Sequence, residues 1–421
     1  MRKGVLATAA AAALLAPASA HAGKRMEVAL ADDPVFLAQA YYDRGQALQG
    51  ARQLGATRIR AVVNWAGVLG KQRESTDPPA QPTYYFGLYE SLIDAAAAAG
   101  IRVQLVLAPP APAFATGDRQ VGITRPDPKL FGDFARAVAE RFKGRVDRYS
   151  VWNEPNHDGW LRPSAEAPRL YRALYRSAYA AIKSADKRAA VWFGETSPNH
   201  GSRAMAPLTF LRRVTCVTSR YEVDKPCVDA LPADQRGTLL TDGYAHHPYD
   251  FAHAPNHAYK GNDNVTIGTL PRLTAALDRL AKARALRPRK GKSVPLYLTE
   301  FGYFASGRRA TPEKKRSKWL PQAFGIAQRN ARVKQLLHYG LVAPPPEQAG
   351  AAFDFGLLLR DGSQRPAWGP LAAWAAKAMR KRWIAAPGAP IALPAAKPNA
   401  DPPSEEPPPE PCTIVLGLPC P

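Results

Sequence analysis

The sequence predicts a (β/α)8 barrel, in which eight parallel strands form a closed ring and a helix follows each strand. Three observations favour this fold. Short apolar or β-branched runs alternate with longer helical patterns, the runs recur about every 44 residues, and several of them are apolar at consecutive positions. A strand, a helix and two loops fill a repeat of this length. Continuous apolar runs are typical of parallel strands that are covered on both faces.

The predicted strands are the eight apolar runs, at residues 26–30, 58–63, 102–107, 149–152, 190–194, 239–244, 295–299 and 335–342. Eight units in series favour a barrel, and an open doubly wound sheet is the alternative. Of the 421 residues, 46% are hydrophobic and 22% are charged, which excludes disorder throughout the chain.

Helices are predicted between these strands. The first spans residues 33–54, because Asp33 and Pro34 are typical of a helix start and Gly55 of a helix end. The last spans residues 366–382. Between them, apolar residues recur at every fourth position while Arg and Lys occupy the other faces, for example at Leu170, Leu174, Ala178 and Ile182.

Both ends of the chain differ from the barrel in composition. Residues 1–22 resemble an export signal, with Arg2 and Lys3 before an apolar run that is shorter than the ~20 residues of a membrane span. We therefore expect a secreted protein without a membrane-spanning helix. The barrel is predicted over residues 23–385 and a Pro-rich tail over residues 386–421, since 12 of the 41 prolines lie in the final 35 residues.

The four cysteines form two local pairs. We expect the disulfides Cys216–Cys227 and Cys412–Cys420, because an exported protein folds in an oxidising compartment. Free or metal-bound thiols are the alternative, but neither pair has the C-x-x-C spacing of common zinc sites.

The chain is strongly basic, with 57 Lys and Arg against 35 Asp and Glu and a net charge of +22. One interpretation is the solvated surface of an exported basic protein. The other is attraction to an acidic polysaccharide or an anionic cell envelope, because a field of one sign steers polyanions. Nothing beyond charge indicates nucleic-acid binding.

Two carboxylates stand at the ends of predicted strands. Glu154 follows the fourth strand and Glu300 the seventh, and the chemistry of an α/β barrel lies at the carboxyl ends of its strands. These strands lie on opposite sides of the barrel mouth, so the two side chains can face each other across a substrate. A structural salt-bridge pair is the alternative.

The residues around these glutamates resemble the signatures of clan A glycoside hydrolases, among them the cellulase-like family 5 and the xylosidase-like family 39. The similarity covers the chain to about residue 382. Four segments carry it: Trp-Asn-Glu-Pro at 152–155, Leu-Thr-Glu-Phe-Gly at 298–302, the strand-two segment at 58–65 and His-Pro-Tyr at 247–249.

The resemblance implies a retaining O-glycosyl hydrolase with a carbohydrate substrate, no cofactor and no metal. Glu300 would be the nucleophile and Glu154 the acid/base. The remaining implied roles are substrate binding and support of Glu300, by Asn153 at the sugar 2-hydroxyl, Arg60 and Tyr249 at Glu300, and His247 in the sugar subsite. We expect a monomer. Glu195 and Asp242, near the ends of strands five and six, are further candidates for sugar contact.

One segment departs from the family pattern. Many clan A enzymes have a Trp at the end of strand eight, whereas residues 336–340 read Leu-Leu-His-Tyr-Gly, so that His338 or Tyr339 would take its place. This difference leaves open a non-catalytic carbohydrate-binding or cell-envelope protein on the same barrel.

Other chemistries fit the sequence less well. His253 and His257 have the spacing of a helical metal-binding pair, but Pro255 between them prevents a helix, and no metal is predicted. The Gly-Lys-Ser at residues 291–293 lacks the first glycine of a phosphate loop and precedes a strand. A Gly-x-Ser-x-Gly elbow is absent, so a serine esterase is not expected.

Overall fold

The structure is a computed structural model that describes residues 25–346 and 353–396. The predicted export signal, the Cys412–Cys420 pair and most of the predicted tail lie outside the described residues. Across the described ranges, the helices are all too short or too polar to cross a bilayer.

Eight parallel strands close into a barrel, as predicted. Strand β1 pairs with both β2 and β8, and each other strand pairs with its two neighbours in sequence order. The barrel strands are β1 (Glu27–Ala31), β2 (Ala56–Asn64), β3 (Arg102–Ala108), β4 (Arg148–Val151), β5 (Ala190–Thr196), β6 (Gly243–His246), β7 (Leu296–Leu298) and β8 (Val333–Tyr339).

The helices lie on the outside of the barrel and bury one face each against the strands. On α5, for example, Leu174, Ala178 and Ile182 are buried as the spacing predicted. The α-helices of the described residues are α1 (Asp33–Phe36), α2 (Arg44–Gln53), α3 (Gly87–Ala98), α4 (Pro128–Arg141), α5 (Ala167–Ala185), α6 (Pro207–Val214), α7 (Lys225–Asp229), α8 (Leu270–Lys282), α9 (Glu313–Arg329) and α10 (Trp368–Arg380).

The prediction of one helix over residues 33–54 is wrong, because the segment forms α1 and α2 with a turn between them. Within the turn, Gln39 has a φ of 53°, which a helix does not allow. The carboxylate of Asp43 then accepts a hydrogen bond from the backbone N–H of Gln46 at 2.8 Å and begins α2. The predicted end is confirmed, since Gly55 has a φ of 76° directly after α2.

The prediction of one strand over residues 239–244 is also wrong. Leu239–Thr241 pairs with Leu286–Pro288 in a separate two-stranded sheet, and the barrel strand β6 begins only at Gly243. The break falls at Asp242 and Gly243, which are residue types that favour a turn and interrupt the apolar run.

Two further features tie the chain together. The disulfide Cys216–Cys227 forms as predicted and joins the segment after α6 to α7. After α10, the chain crosses the amino-terminal end of the barrel, where Ile384 pairs with Met26 and the backbone N–H of Ile391 donates to the carbonyl of Ala97 at 2.9 Å. Residues 386–396 of the predicted tail therefore lie against the barrel.

Candidate active site

Glu154 and Glu300 leave the carboxyl ends of β4 and β7 and converge at the barrel mouth. A carboxyl oxygen of Glu154 lies within 4.8 Å of one of Glu300. Their side chains are 16% and 14% exposed, respectively. A small part of each side chain therefore reaches solvent while most of it is enclosed.

The backbone at the ends of β4 and β5 is left-handed, which orients these side chains. The φ angles of Trp152, Glu154 and Glu195 are 65°, 38° and 53°. Residues other than glycine rarely adopt this region, and each instance costs about 1–3 kcal/mol. The two strand ends support each other, since the N–H of Glu154 donates to the carbonyl of Glu195 at 2.9 Å. Strain of this kind is concentrated at functional sites.

His247 lies below the two glutamates and links three carboxylates. Its Nδ1 is 2.9 Å from Oε1 of Glu154 and 3.5 Å from Oε2 of Glu300, and its Nε2 is 2.6 Å from Oε2 of Glu195. Burial alone would lower the pKa of His247, but Glu300, Glu154 and Glu195 together raise it to about 10. The ring is therefore an imidazolium that donates from both nitrogens, and it is fully buried beneath the mouth.

Glu195 is a third carboxylate, and it is closed off from solvent. Its Oε2 accepts hydrogen bonds from Nε2 of His247, from Oγ1 of Thr299 at 2.9 Å and from Nη2 of Arg60 at 3.3 Å. Burial raises the pKa of Glu195, but Arg60 and His247 more than offset this and hold it at about 2. Because Glu195 is 0% exposed, it contacts the other site residues rather than a sugar.

Arg60 on β2 connects the same groups from the opposite side. Its Nη1 is 3.1 Å from Oε1 of Glu300, and its Nη2 contacts Oδ1 of Asn153 at 3.0 Å as well as Glu195. The expected contact with Glu300 is present. Burial would lower the pKa of Arg60, but Glu195 and Glu300 raise it, so the guanidinium is a permanent cation between them.

Tyr249, in the loop after β6, completes the surroundings of Glu300. Its hydroxyl donates to Oε2 of Glu300 at 3.0 Å, again as the resemblance implied. Burial raises the pKa of this phenol well above its usual value, so it remains a neutral donor. Burial also raises the pKa of Glu300, whereas the cations of His247 and Arg60 act in the opposite direction. One hydrogen-bond donor and two cations thus surround one carboxylate.

Three other candidates occupy different places. Asp242 lies outside the barrel, where its carboxylate contacts Nζ of Lys183 at 2.5 Å and Nε of Arg289 at 2.6 Å, so it does not reach the mouth. In strand eight, His338 is fully buried, and burial lowers its pKa to about 3. Tyr339 lies beside the mouth, where burial and the Glu300 carboxylate raise its pKa.

Tyr339 belongs to a wall of aromatic rings beside Glu300. Its ring centroid is 6.1 Å from that of Phe355, and Tyr249 stacks on Phe251 at 4.7 Å. Aromatic faces are apolar surfaces on which the C–H faces of sugars can pack. The members of this wall are Tyr249, Phe251, Phe304, Tyr339, Phe353 and Phe355.

The sequence singled out most of this site. It placed His247 in the sugar subsite, whereas the ring is 0% exposed and bridges three carboxylates. It also missed the part played by Glu195. Glu195 carries the same sequence signal as Glu154 and Glu300, which is a charged residue at the end of an otherwise apolar strand. What the sequence did not show is its depth: β5 continues to Thr196, so Glu195 lies within the strand, below the mouth.

Solved structures with the same fold include three family 39 glycoside hydrolases. An enzyme from Bacteroides cellulosilyticus WH2 is 21% identical over 84% of this chain and 64% of its own, with a TM-score of 0.61. One from Xanthomonas axonopodis pv. citri is 19% identical over 84% and 67%, with a TM-score of 0.53. A β-xylosidase from Caulobacter crescentus is 17% identical over 84% and 72%, with a TM-score of 0.54.

These similarities show that the chain shares its fold with the three enzymes. The chain spans 64% of the length of the Bacteroides enzyme. No family model matches the sequence, and no curated protein matches it either. The (β/α)8 fold that the resemblance to clan A glycoside hydrolases implied is confirmed, and it is shared with solved xylosidase, xylanase, mannosidase and glucosidase structures.

The charge state of His247 leads to a prediction about pH. A folded-state pKa of about 10, raised from 6.5, stabilises the fold fully below pH 6.5, and this contribution is lost as the pH rises through 10. We expect Glu195→Gln to lower the pKa of His247, because it removes the anion that Nε2 contacts. NMR titration of the His247 ring, together with urea unfolding at pH 6 and pH 10, measures both effects.

The matched control is Glu140→Gln, which neutralises an exposed glutamate on α4. The wild type and the control should lose more stability between pH 6 and pH 10 than Glu195→Gln does. An unchanged His247 titration in Glu195→Gln would show that Glu195 does not hold the imidazolium.

Proposed function

We propose that the protein is a retaining glycoside hydrolase that cleaves O-glycosidic bonds by double displacement. The observation that carries the proposal is the separation of the Glu154 and Glu300 carboxyl oxygens, which is within 4.8 Å. Retaining glycosidases have carboxyl groups about 5–5.5 Å apart, whereas inverting enzymes need roughly 6.5–9.5 Å to admit a water molecule. The spacing supports direct attack by a carboxylate.

In the first step, an oxygen of Glu300 attacks the anomeric carbon as the glycosidic bond breaks, and Glu154 donates its proton to the leaving oxygen. Arg60 and Tyr249 hold Glu300 in the orientation for attack through the contacts at 3.1 and 3.0 Å. Asn153, whose Oδ1 is fixed by Arg60, lies next to Glu154 and is proposed to bind the sugar 2-hydroxyl.

In the second step, Glu154 acts as a base. It removes a proton from water, the water oxygen attacks the anomeric carbon, and the bond to Glu300 breaks. The Nδ1–H of His247, 2.9 Å from Oε1 of Glu154, stabilises the carboxylate that Glu154 becomes once its proton has left. Glu195 keeps His247 charged throughout both steps, so it is a positioning residue.

The substrate is proposed to be an oligo- or polysaccharide with β-linked sugars. The solved structures of the same fold include a β-xylosidase and an exo-β-1,4-mannosidase, which favours β-glycosides. The residues that resemble an export signal support action outside the cell, and the net charge of +22 supports an acidic glycan or an anionic envelope as the setting. The alternative is a carbohydrate-binding protein without activity, favoured by the absence of a Trp at the end of strand eight.

A panel of 2,4-dinitrophenyl β-glycosides separates the two functions. The hydrolase should release dinitrophenol from at least one sugar in a burst followed by slower turnover, because an activated leaving group makes hydrolysis of the intermediate the slow step. A binding protein should release none beyond the rate of the double variant Glu154→Gln/Glu300→Gln, which is the control for background hydrolysis.

A further inference from the structure

A second cluster of potential ligands lies in the loop between β6 and α8. Nδ1 of His253 is 2.8 Å from Oδ1 of Asp250, and Nδ1 of His257 is 2.9 Å from Oδ2 of the same carboxylate. The two imidazole rings stack with centroids 3.9 Å apart and planes inclined by 23°. Two ring nitrogens and one carboxylate thus converge on one point.

The cluster is open to solvent on one side. The side chain of Asp250 is 3% exposed, whereas those of His253 and His257 are 48% and 36% exposed. The carboxylate of Asp250 lies at the buried side of the cluster, and the two imidazole rings lie at its solvent-accessible side. An ion can reach this site without rearrangement of the barrel.

The distances suit one bound ion. Zn²⁺ lies about 2.0–2.2 Å from histidine nitrogens and carboxylate oxygens, which places neighbouring ligand atoms roughly 3 to 3.5 Å apart. The contacts between nitrogen and oxygen are 2.8 and 2.9 Å, and all three ligand atoms lie within 4.8 Å of one another.

We propose that Asp250, His253 and His257 bind a divalent transition-metal ion of the Zn²⁺ type, with water as the remaining ligand. Two imidazole nitrogens with one carboxylate suit Zn²⁺, Ni²⁺ or Cu²⁺, whereas Mg²⁺ and Ca²⁺ prefer ligand sets made of oxygen. On binding, each ring is a neutral imidazole that carries its proton on Nε2 and offers the lone pair of Nδ1 to the ion, so a ring protonated on both nitrogens releases one proton to solvent. The ion replaces the two hydrogen bonds to Asp250.

The two histidines reach a common partner from a loop, not from a helix. Pro255 does prevent a helical pair, but the loop turns instead, and the N–H of His257 donates to the carbonyl of Ala254 at 2.9 Å. The turn places both histidines over Asp250. A four-residue spacing is therefore compatible with a shared ion in a loop as well as on a helix.

The site adjoins the candidate active site. Asp250 directly follows Tyr249, whose hydroxyl donates to Glu300, and the hydroxyl of Tyr303 donates to the carbonyl of His253 at 3.0 Å. Tyr303 follows β7 by a few residues, so the cluster connects the loops after β6 and β7. A bound ion would fix the loop that carries Tyr249. Binding itself does not depend on the proposed glycosidase activity.

The test is isothermal titration of the full chain, freed of metal with EDTA, with ZnCl₂ at neutral pH. We expect one Zn²⁺ per chain, no binding of MgCl₂ at the same concentrations, and at least tenfold weaker binding by His253→Ala and by His257→Ala. The control is His200→Ala, which removes an exposed histidine outside the cluster and should bind Zn²⁺ like the wild type.

Two further readouts keep the test decisive. Glu154, His247 and Glu300 also lie within ligand distance of one another, so binding that persists in His253→Ala/His257→Ala would place the ion there and overturn the proposal. Should that variant fail to fold, titration of the wild type with Co²⁺ is decisive. Visible absorption that EDTA abolishes and that Asp250→Asn weakens supports the site, and its absence contradicts it.

Discussion

Glu300→Ala is expected to lower kcat on activated aryl β-glycosides by roughly 10⁴- to 10⁶-fold, which corresponds to about 5–8 kcal/mol of transition-state stabilisation. The loss is large because neither of the two neighbouring carboxylates, Glu195 and Glu154, can replace the nucleophile. Glu195 is fully buried, and Glu154 serves the leaving group. Steady-state kinetics on the best dinitrophenyl glycoside of the panel measures the loss.

Sodium azide should restore part of the activity of Glu300→Ala, because the shortened side chain leaves room for a small anion beside the anomeric carbon. Azide attacks once from the face that Glu300 occupied, so the product is a glycosyl azide of inverted configuration. Glu166→Ala, which removes a surface glutamate paired with Arg125, should behave like the wild type. An azide product of retained configuration would contradict the assignment of Glu300.

Glu154→Ala should show a loss that depends on the leaving group. With a poor leaving group that needs protonation, kcat/KM should fall by about 10²- to 10⁴-fold, whereas 2,4-dinitrophenolate, which leaves without a proton, should show a much smaller change. The reason is that Glu154 donates a proton only in the first step. A series of aryl glycosides with phenols of different pKa measures the dependence.

Sodium azide also distinguishes the role of Glu154 as the acid/base from that of Glu300 as the nucleophile. In Glu154→Ala the intermediate on Glu300 still forms, and azide then attacks it from the side that Glu154 has vacated, so the product is a glycosyl azide of retained configuration. Glu154→Gln is the matched variant, since it keeps the volume and removes the proton donor. Equal losses for every leaving group would show that Glu154 is not the acid.

The fold was predictable from the sequence because its signal is repeated. Eight apolar runs at similar spacing identify a barrel even when single boundaries are uncertain, and the paired strands of the structure begin within a few residues of most of the predicted runs. The errors arose where local hydrogen bonds compete with a continuous pattern. The Asp43 cap divides the first helix, and an outer strand pairs with residues 286–288 before β6 begins.

The site was predictable only in part. Motifs next to strand ends identified Glu154, Glu300, Arg60 and Tyr249, because the carboxyl ends of all strands in a barrel meet at one face. The motifs did not show how deep within the barrel each side chain lies. The fifth strand ends two residues later than predicted, at Thr196, and this decides whether Glu195 faces substrate or His247. Loop geometry decides whether two histidines share a partner.

Double displacement requires that Glu300 forms a covalent bond to the sugar while a carboxyl oxygen of Glu154 lies within 4.8 Å of one of Glu300. The most direct test is incubation of the protein with a 2-deoxy-2-fluoro β-glycoside of the sugar that it hydrolyses, carrying a dinitrophenyl leaving group, followed by intact-mass measurement and peptide mapping. Fluorine slows hydrolysis of the intermediate, so one fluorosugar should accumulate on the peptide that contains Glu300. A protein that turns over its substrate but acquires no label, or that carries the label on another residue, would contradict the mechanism.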